Sequence, residues 1–157
     1  MRVVVRLFKP TDAKPLAELF HASVRQVGIH DYSAEQVAAW SPAPPAPIGY
    51  VRRAAGRLFL VAENDEGELV GYGDLEPDGH LDHLYCRPDV VGKGVGSALY
   101  EALERAAKEQ GIALLFVEAS EAARRLFECK GFEIEARNDF ELNGVAIHNY
   151  RMSKWID

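Results

Sequence analysis

The order of elements along the chain predicts an α/β domain built on a mixed sheet, with a single parallel β–α–β crossover. Three observations carry this. Two strand-like runs flank Asn64-Asp65-Glu66-Gly67, a strand passes through a glycine-rich loop into a helix near the middle, and Asn143-Gly144 separates the last two strand-like runs as a type I′ hairpin signal. At 157 residues the chain has the size of one domain, so a single unit over 1–157 is expected.

Taken in order, residues 2–7 are valine-rich and bounded by Pro10, which reads as a strand. Thr11 and Asp12 offer helix caps, and Leu16, Leu19, Phe20, Val24 and Val27 then recur at the spacing of an amphipathic helix that Gly28 stops. Ser33 with Gln36 forms a capping box for a second short helix running to Trp40. Pro42, Pro44, Pro45 and Pro47 demand a non-helical stretch, read as a loop. Residues 58–63 and 68–75 are strands of a hairpin, Pro77-Asp78-Gly79 turns the chain, and 80–86 forms a further strand. After Gly92-Lys93-Gly94-Val95-Gly96 a helix carries Leu99, Leu103, Ala106 and Ala107 on one face and ends at Gly111. Residues 112–117 read as a strand and 122–130 as a short helix closed by Gly131, ahead of the final hairpin.

Composition narrows the function. Hydrophobic residues are 48% and charged residues 27%, and the formal net charge of −6 repels nucleic acid, so a small molecule, even a cationic one, is the expected partner. No apolar run approaches a membrane span, residues 1–7 lack a leader pattern, and Cys86 and Cys129 sit at neither disulfide-framework nor zinc spacing. A cytoplasmic location without membrane association is therefore expected.

The strongest chemical signal is the unit from Leu81 to Lys108. Glycines let backbone N–H groups converge, and the helix N-terminus that follows adds partial positive charge, so the loop suits a phosphate. An ordinary tight turn has the same letters. The Walker pattern fails because Lys93 precedes Gly94 and Gly96. A dinucleotide loop would place its third glycine at Ser97, with Glu118 as the ribose-binding acid, but too little chain remains for a doubly wound sheet.

Leu84-Tyr85-Cys86-Arg87-Pro88 followed by Gly92 to Ser97 resembles motif A of the GNAT superfamily, the GCN5-related N-acetyltransferases. Ser120 to Phe132 is similar to their motif B through Ala123, Leu126, Gly131 and Phe132, and Asp31-Tyr32-Ser33 with Glu35, Gln36 and Trp40 resembles a bacterial subgroup of unassigned acceptor. The resemblance implies a central, mostly antiparallel sheet splayed between its fourth and fifth strands, with helices on both faces. It implies acetyl-CoA as cosubstrate, no metal, and transfer of the acetyl group to a primary amine of a small molecule by direct attack in a ternary complex. A non-catalytic acyl-CoA sensor and a protein N-terminal or lysine acetyltransferase are alternatives on the same fold; a dinucleotide-dependent oxidoreductase is the alternative on another. Monomer and homodimer both remain open.

Carried over residue by residue, the resemblance puts the coenzyme pyrophosphate on Val91, Gly92, Lys93, Gly94, Val95, Gly96 and Ser97. The pantetheine arm falls along Leu84, Tyr85 and Cys86, flanked by Ser120 and Ala123. Val91 replaces a usual glutamine or arginine, Ser120 an asparagine, and Phe127 a tyrosine that protonates the departing thiolate, although Phe127 can still pack against the thioester. An amine must lose a proton before attack, so a base is needed. Asp82 or His80 is the first candidate, since strand alternation places His80, Asp82, Leu84 and Cys86 on one face and Leu81, His83 and Tyr85 on the other; Glu118 is the second. The same alternation disfavours a metal on His80, Asp82 and His83. Cys86 reads as a small buried hydrophobe rather than a nucleophile, with its backbone N–H a candidate oxyanion donor. Tyr32, Trp40 and Tyr50, with Asp31 and Glu35, are expected at the acceptor end of the cleft, joined by His148, Asn149 and Tyr150.

Overall fold

The computed structural model describes residues 1–156. Eight strands form two four-stranded sheets, and five α-helices cover them. The first sheet has the order β1-β2-β3-β5, with β1 Val4–Leu7, β2 Leu58–Glu63, β3 Leu69–Leu75 and β5 Leu84–Cys86, all antiparallel. The second has the order β4-β6-β8-β7, with β4 His80–Leu81, β6 Leu114–Ala119, β7 Glu133–Leu142 and β8 Val145–Trp155. Its β4–β6 pair is parallel, with His80 opposite Phe116 and Leu81 opposite Val117; β6–β8 and β7–β8 are antiparallel. The single strand expected over 80–86 therefore passes from one sheet to the other, and the sheets part between it and β6. That is the splay between the fourth and fifth expected strands.

The break at Asp82-His83 has an electrostatic cause. Asp74 on β3 is fully buried, and its Oδ1 accepts the His83 N–H at 2.7 Å. Its Oδ2 accepts from Arg53 and Arg57 at 3.1 Å each, and both arginines also reach Asp82. A buried carboxylate requires such partners. Holding Asp82 with the arginines puts a two-residue irregularity into the strand. As a result Leu81 packs with Leu84 and Cys86 in one core cluster, while His83 and Tyr85 pack with Phe20 and Tyr72 on the other face. Strand alternation had placed Leu81 with His83, and the bulge breaks it.

One face is covered by α1 Ala13–Gln26, α2 Ala34–Trp40 and α3 Pro47–Arg53. The apolar stripe of α1 is buried as its spacing predicts, with Leu16 and Val24 essentially inaccessible. Asp12 does not cap it; its carboxylate binds Arg6 and the Lys9 N–H instead. The capping box of α2 forms as read, Gln36 N–H to Ser33 Oγ at 3.0 Å and Ser33 N–H to Gln36 Oε1 at 2.9 Å. The proline stretch is not all loop: Pro47 opens α3, where its fixed φ suits the first helical turn and its missing N–H costs nothing.

The other face carries α4 Val95–Glu109 and α5 Glu121–Cys129. Leu99, Leu103 and Ala107 of α4 are fully buried, and α4 lies so close to β3 that a Cβ on Gly71 would stand 2.9 Å from Leu99 Cδ1. Truncating Leu99 or Leu103 to alanine would cost about 2–5 kcal/mol. At the end of the chain Asn143 and Gly144 both have positive φ, 50° and 79°, the type I′ turn that the sequence signals.

Candidate active site

The loop ahead of α4 is shaped by backbone. Gly92 and Gly94 take φ of 81° and 88°, values that other residues rarely adopt, and Gly94 is the residue before the first turn of α4. Lys93 N–H bonds back to Val90 and Ala98 N–H to Gly94, but the N–H groups of Gly92, Gly94, Val95, Gly96 and Ser97 take no backbone acceptor. These free donors at the positive end of a four-turn helix make an anion site. Two further cations stand near it. Lys93 is exposed, and Lys130 at the end of α5 donates to Ser97 Oγ and lies 3.2 Å from Glu101.

From the loop a cavity of about 300 Å³ runs along β5 toward the splay. Its walls include Val91 to Ser97 (Lys93 apart), Leu84 to Cys86, Ser120, Ala123 and Leu126; Ser23, Val24 and Val27 of α1 close it on the far side. Along β5 the ladder to β3 uses the N–H of Arg87, the C=O of His83 and the Tyr85–Tyr72 pair. By the alternation of an antiparallel ladder, the polar backbone groups of Leu84 and Cys86 then face away from β3 into the gap. A strand edge thus lines the cavity, open to an extended ligand.

At the splay a small cavity of about 30 Å³ is bounded by Asp82, His83, Tyr85, Glu118, Ser120, Ala123 and Phe127, among others. A third cavity, about 120 Å³, opens beyond it between Tyr32, Trp40, Tyr85, Glu118, Ser120, Phe140, Leu142, Ile147, His148 and Asn149. Tyr85 and Ser120 line all three. Ser120 also caps α5, its Oγ accepting the Ala123 N–H at 3.3 Å.

The acid–base candidates meet at this junction in different states. Glu118 Oε1 is 2.7 Å from His80 Nε2, and His80 Nδ1 is 2.7 Å from Glu76 Oε1, with the ring stacked on Phe116. Burial acts against a charge on His80, but Glu76 and Glu118 outweigh it and raise its pKa above the ordinary histidine value. Burial likewise works against the Asp82 charge; the Arg53 bond prevails and holds its carboxyl below the ordinary range, which makes it a weak proton acceptor. His83, not singled out in the sequence as a base, is buried and pushed down to about 4, so it is a neutral imidazole at neutral pH, bonded to Tyr72 through Nδ1 at 2.9 Å. Burial pushes the Cys86 thiol up to about 11.

Phe127 is buried edge-on to Tyr100 and Phe132 while still bounding the small cavity. Tyr32 and Trp40 stand edge to face, 5.6 Å apart, in the wall of the third cavity. The Tyr32 hydroxyl donates to His148 O at 2.9 Å and accepts the Glu121 N–H at 3.1 Å; burial pushes its pKa up to about 12. Tyr50 does not reach this end: it is buried in the α1–α3 core, its hydroxyl 3.1 Å from that of Tyr72. Asp31 pairs with Arg125 and Glu35 is exposed. Tyr150 donates to Glu121 at 3.0 Å and lies outside the cavity wall, although its neighbours His148 and Asn149 are in it. Val24 and Val27 of α1 and Phe140, Leu142 and Ile147 of the hairpin carry no chemical signal in the sequence; they are apolar residues indistinguishable from core until the chain folds. Among the described residues no group of three or more His, Cys, Asp or Glu side chains could hold a metal ion.

A family model for the acetyltransferase (GNAT) domain matches residues 29–154. Among curated proteins the chain is 25% identical to the uncharacterized N-acetyltransferase YafP of Escherichia coli over 96% of this chain and 94% of that one. It is 27% identical to the L-methionine sulfoximine/L-methionine sulfone acetyltransferase of Pseudomonas aeruginosa, over 87% of this chain and 90% of that one. Among solved structures, a GCN5-related N-acetyltransferase from Rhodopseudomonas palustris superimposes with a TM-score of 0.90 at 37% identity, covering 99% of this chain and 97% of that one. A phosphinothricin acetyltransferase from Sinorhizobium meliloti in complex with AcCoA shares the fold, with a TM-score of 0.78 at 20% identity over 99% and 89% of the two chains.

Proposed function

The chain belongs to the GNAT acetyltransferase family and is an acetyl-CoA-dependent N-acetyltransferase; from that premise we propose that it acetylates the primary amine of a small molecule by direct attack in a ternary complex. The two mostly antiparallel sheets, with one parallel pair, leave no doubly wound sheet for a dinucleotide, so the oxidoreductase reading falls.

The observation that carries the proposal is the meeting of three cavities at Tyr85 and Ser120. A long groove with free amides at one end and a separate pocket with a carboxylate at the other can hold two substrates at once, their reactive ends at the splay. The free amides of Gly92 and Gly94 to Ser97 fit the coenzyme pyrophosphate, and the Leu84–Cys86 edge fits its amide-bearing arm. Bound acetyl-CoA supplies the acetyl group as an activated thioester. At Glu118 the carboxylate takes the proton of the incoming ammonium, and His80, held between Glu118 and Glu76, orients it. The Cys86 N–H faces the gap as the donor to the developing oxyanion. Asp82, clamped by Arg53 and Arg57, shapes the strand instead of moving protons, and Phe127 offers none to the leaving group. The Cys86 thiol, kept neutral by burial, argues against an acyl-enzyme route. The small-molecule acceptors named for the methionine sulfoximine and phosphinothricin acetyltransferases support an acceptor of that size. With both cysteines free, a reducing, cytoplasmic setting suits it.

Initial-velocity kinetics with thiol detection test the reading. Varying acetyl-CoA at several fixed amine concentrations should give intersecting double-reciprocal lines. Parallel lines, or acetylation of Cys86 in the absence of amine, would overturn it.

A further inference from the structure

The wall of the 120 Å³ cavity speaks to which amine enters. Its one carboxylate is Glu118, and no lysine or arginine lines it. The imidazole of His148, also in the wall, is committed through Nε2 to Glu121 at 2.7 Å. Cations nearby stand outside the wall beside acids of their own: Arg125 with Asp31 at 2.7 Å, Arg137 with Asp139 at 3.1 Å, and Arg151 with Glu135 at 3.3 Å and with Glu118 at 3.7 Å, while His80 holds Glu118 at 2.7 Å. The outer hollow that adjoins the cavity adds Glu141 to the Arg137–Asp139 pair, so its ionised groups are also net negative. Ser120 and Asn149 add uncharged polar groups, and the remaining wall is aromatic or aliphatic, from Trp40, Tyr85 and Phe140 to Leu142 and Ile147.

We propose that the acceptor is a monoamine cation on an aromatic or apolar body with no carboxylate. This rests on the ternary-complex reading and sets the chain apart from its relative named for methionine sulfoximine, an amino acid. A carboxylate brought into this cavity would lose water and meet Glu118, while the cations that hold Glu118, His80 and Arg151, are not among the residues of the wall and are already engaged with acids; that carries a penalty. An ammonium, by contrast, finds a carboxylate partner and aromatic faces.

Matched pairs differing only by the carboxylate make the test: phenethylamine against phenylalanine, and tryptamine against tryptophan, with methionine sulfoximine as a further acceptor, all followed by thiol release from acetyl-CoA. The amines should exceed their amino acids in kcat/KM by about a hundredfold or more. Phe140→Arg, at a half-exposed wall position, should narrow that ratio by about tenfold by offering the missing cation. Equal or better turnover of the amino acids would overturn the acceptor class and leave acetyl transfer standing. Absence of turnover with every pair, while acetyl-CoA still binds, would instead overturn the small-amine reading and this inference with it.

Discussion

The groove beside α4 and the cavity under Trp40 share Trp40, Tyr85 and Ser120 and are built from different materials. The groove is backbone: free amides at the start of one helix, an unpaired strand edge, and two glycines at positive φ, all within 84–97. The cavity is side chain, assembled from α2, β5, the end of β6 and the final hairpin. Backbone sites tolerate sequence change so long as the turn is kept, so under the proposed function Val91 in place of a glutamine or arginine is expected to matter little. Side-chain sites change identity with each substitution. On the proposed reading the first region sets which cosubstrate the protein takes, and the second sets which acceptor.

That division breaks most visibly through the loop. Gly94→Glu forces a non-glycine residue to a φ of 88° and places a carboxylate beside the anion site, with no buried contact disturbed. Affinity for acetyl-CoA should fall by about a hundredfold or more, an amount near 2.7 kcal/mol, while the strain at this φ lowers the thermal midpoint by only a few degrees; fluorescence titration and a melt together check it. Glu118→Gln comes next. It should lower kcat by about a hundredfold and leave acetyl-CoA affinity intact, because the change lies wholly on the acceptor side.

Trp40→Ala probes the wall the regions share, since Trp40 lines both. Loss of an aromatic face should raise KM for the amine by about tenfold and acetyl-CoA Kd by only about two- to threefold. Equal effects on both ligands would show that the division is drawn in the wrong place.

The smallest effects come from two histidines on either side of the bulge, and they run in opposite directions with pH. His80 has a raised folded pKa, so its stabilising contribution is present below the unfolded value near 6.5 and is lost as pH rises through the folded value. His83 is lowered to about 4, so the unfolded chain binds more protons between about 4 and 6.5, and stability falls as pH drops through that window. In melts from acid to alkaline pH, His80→Gln should show its deficit at pH 6 and lose it by pH 9. His83→Gln should flatten the acid limb of the profile. A parallel shift of either variant at all pH values would contradict the assigned states.

The same contrast decides how much was legible in the sequence. Element order, the α2 capping box, the terminal hairpin and the glycine loop are local patterns, and each was readable because its cause lies within a few residues. Asp82 as an arginine-bound residue was not readable. Its partners Arg53 and Arg57 come from a helix and turn well before it, and the buried Asp74 that recruits them sits in an apolar strand. The strand break at Asp82-His83 follows from that cluster, so simple alternation misassigned Leu81 relative to His83. Residue type alone points Tyr50 and Tyr150 to the acceptor end, yet Tyr50 lies in the core and Tyr150 bonds to Glu121. Phe140 and Leu142 entered the cavity only because the hairpin packs back over Trp40. Side-chain cavities depend on tertiary folding, and one sequence carries that information only diffusely.

Calorimetric titration of the purified protein with acetyl-CoA, with NAD(H) run in parallel, tests the central claim most directly. Saturable one-to-one binding of acetyl-CoA near micromolar affinity, about −8 kcal/mol, with no heat from NAD(H), is the predicted result. Binding of NAD(H) alone, or no acetyl-CoA binding at millimolar concentration, would contradict the assignment of the groove.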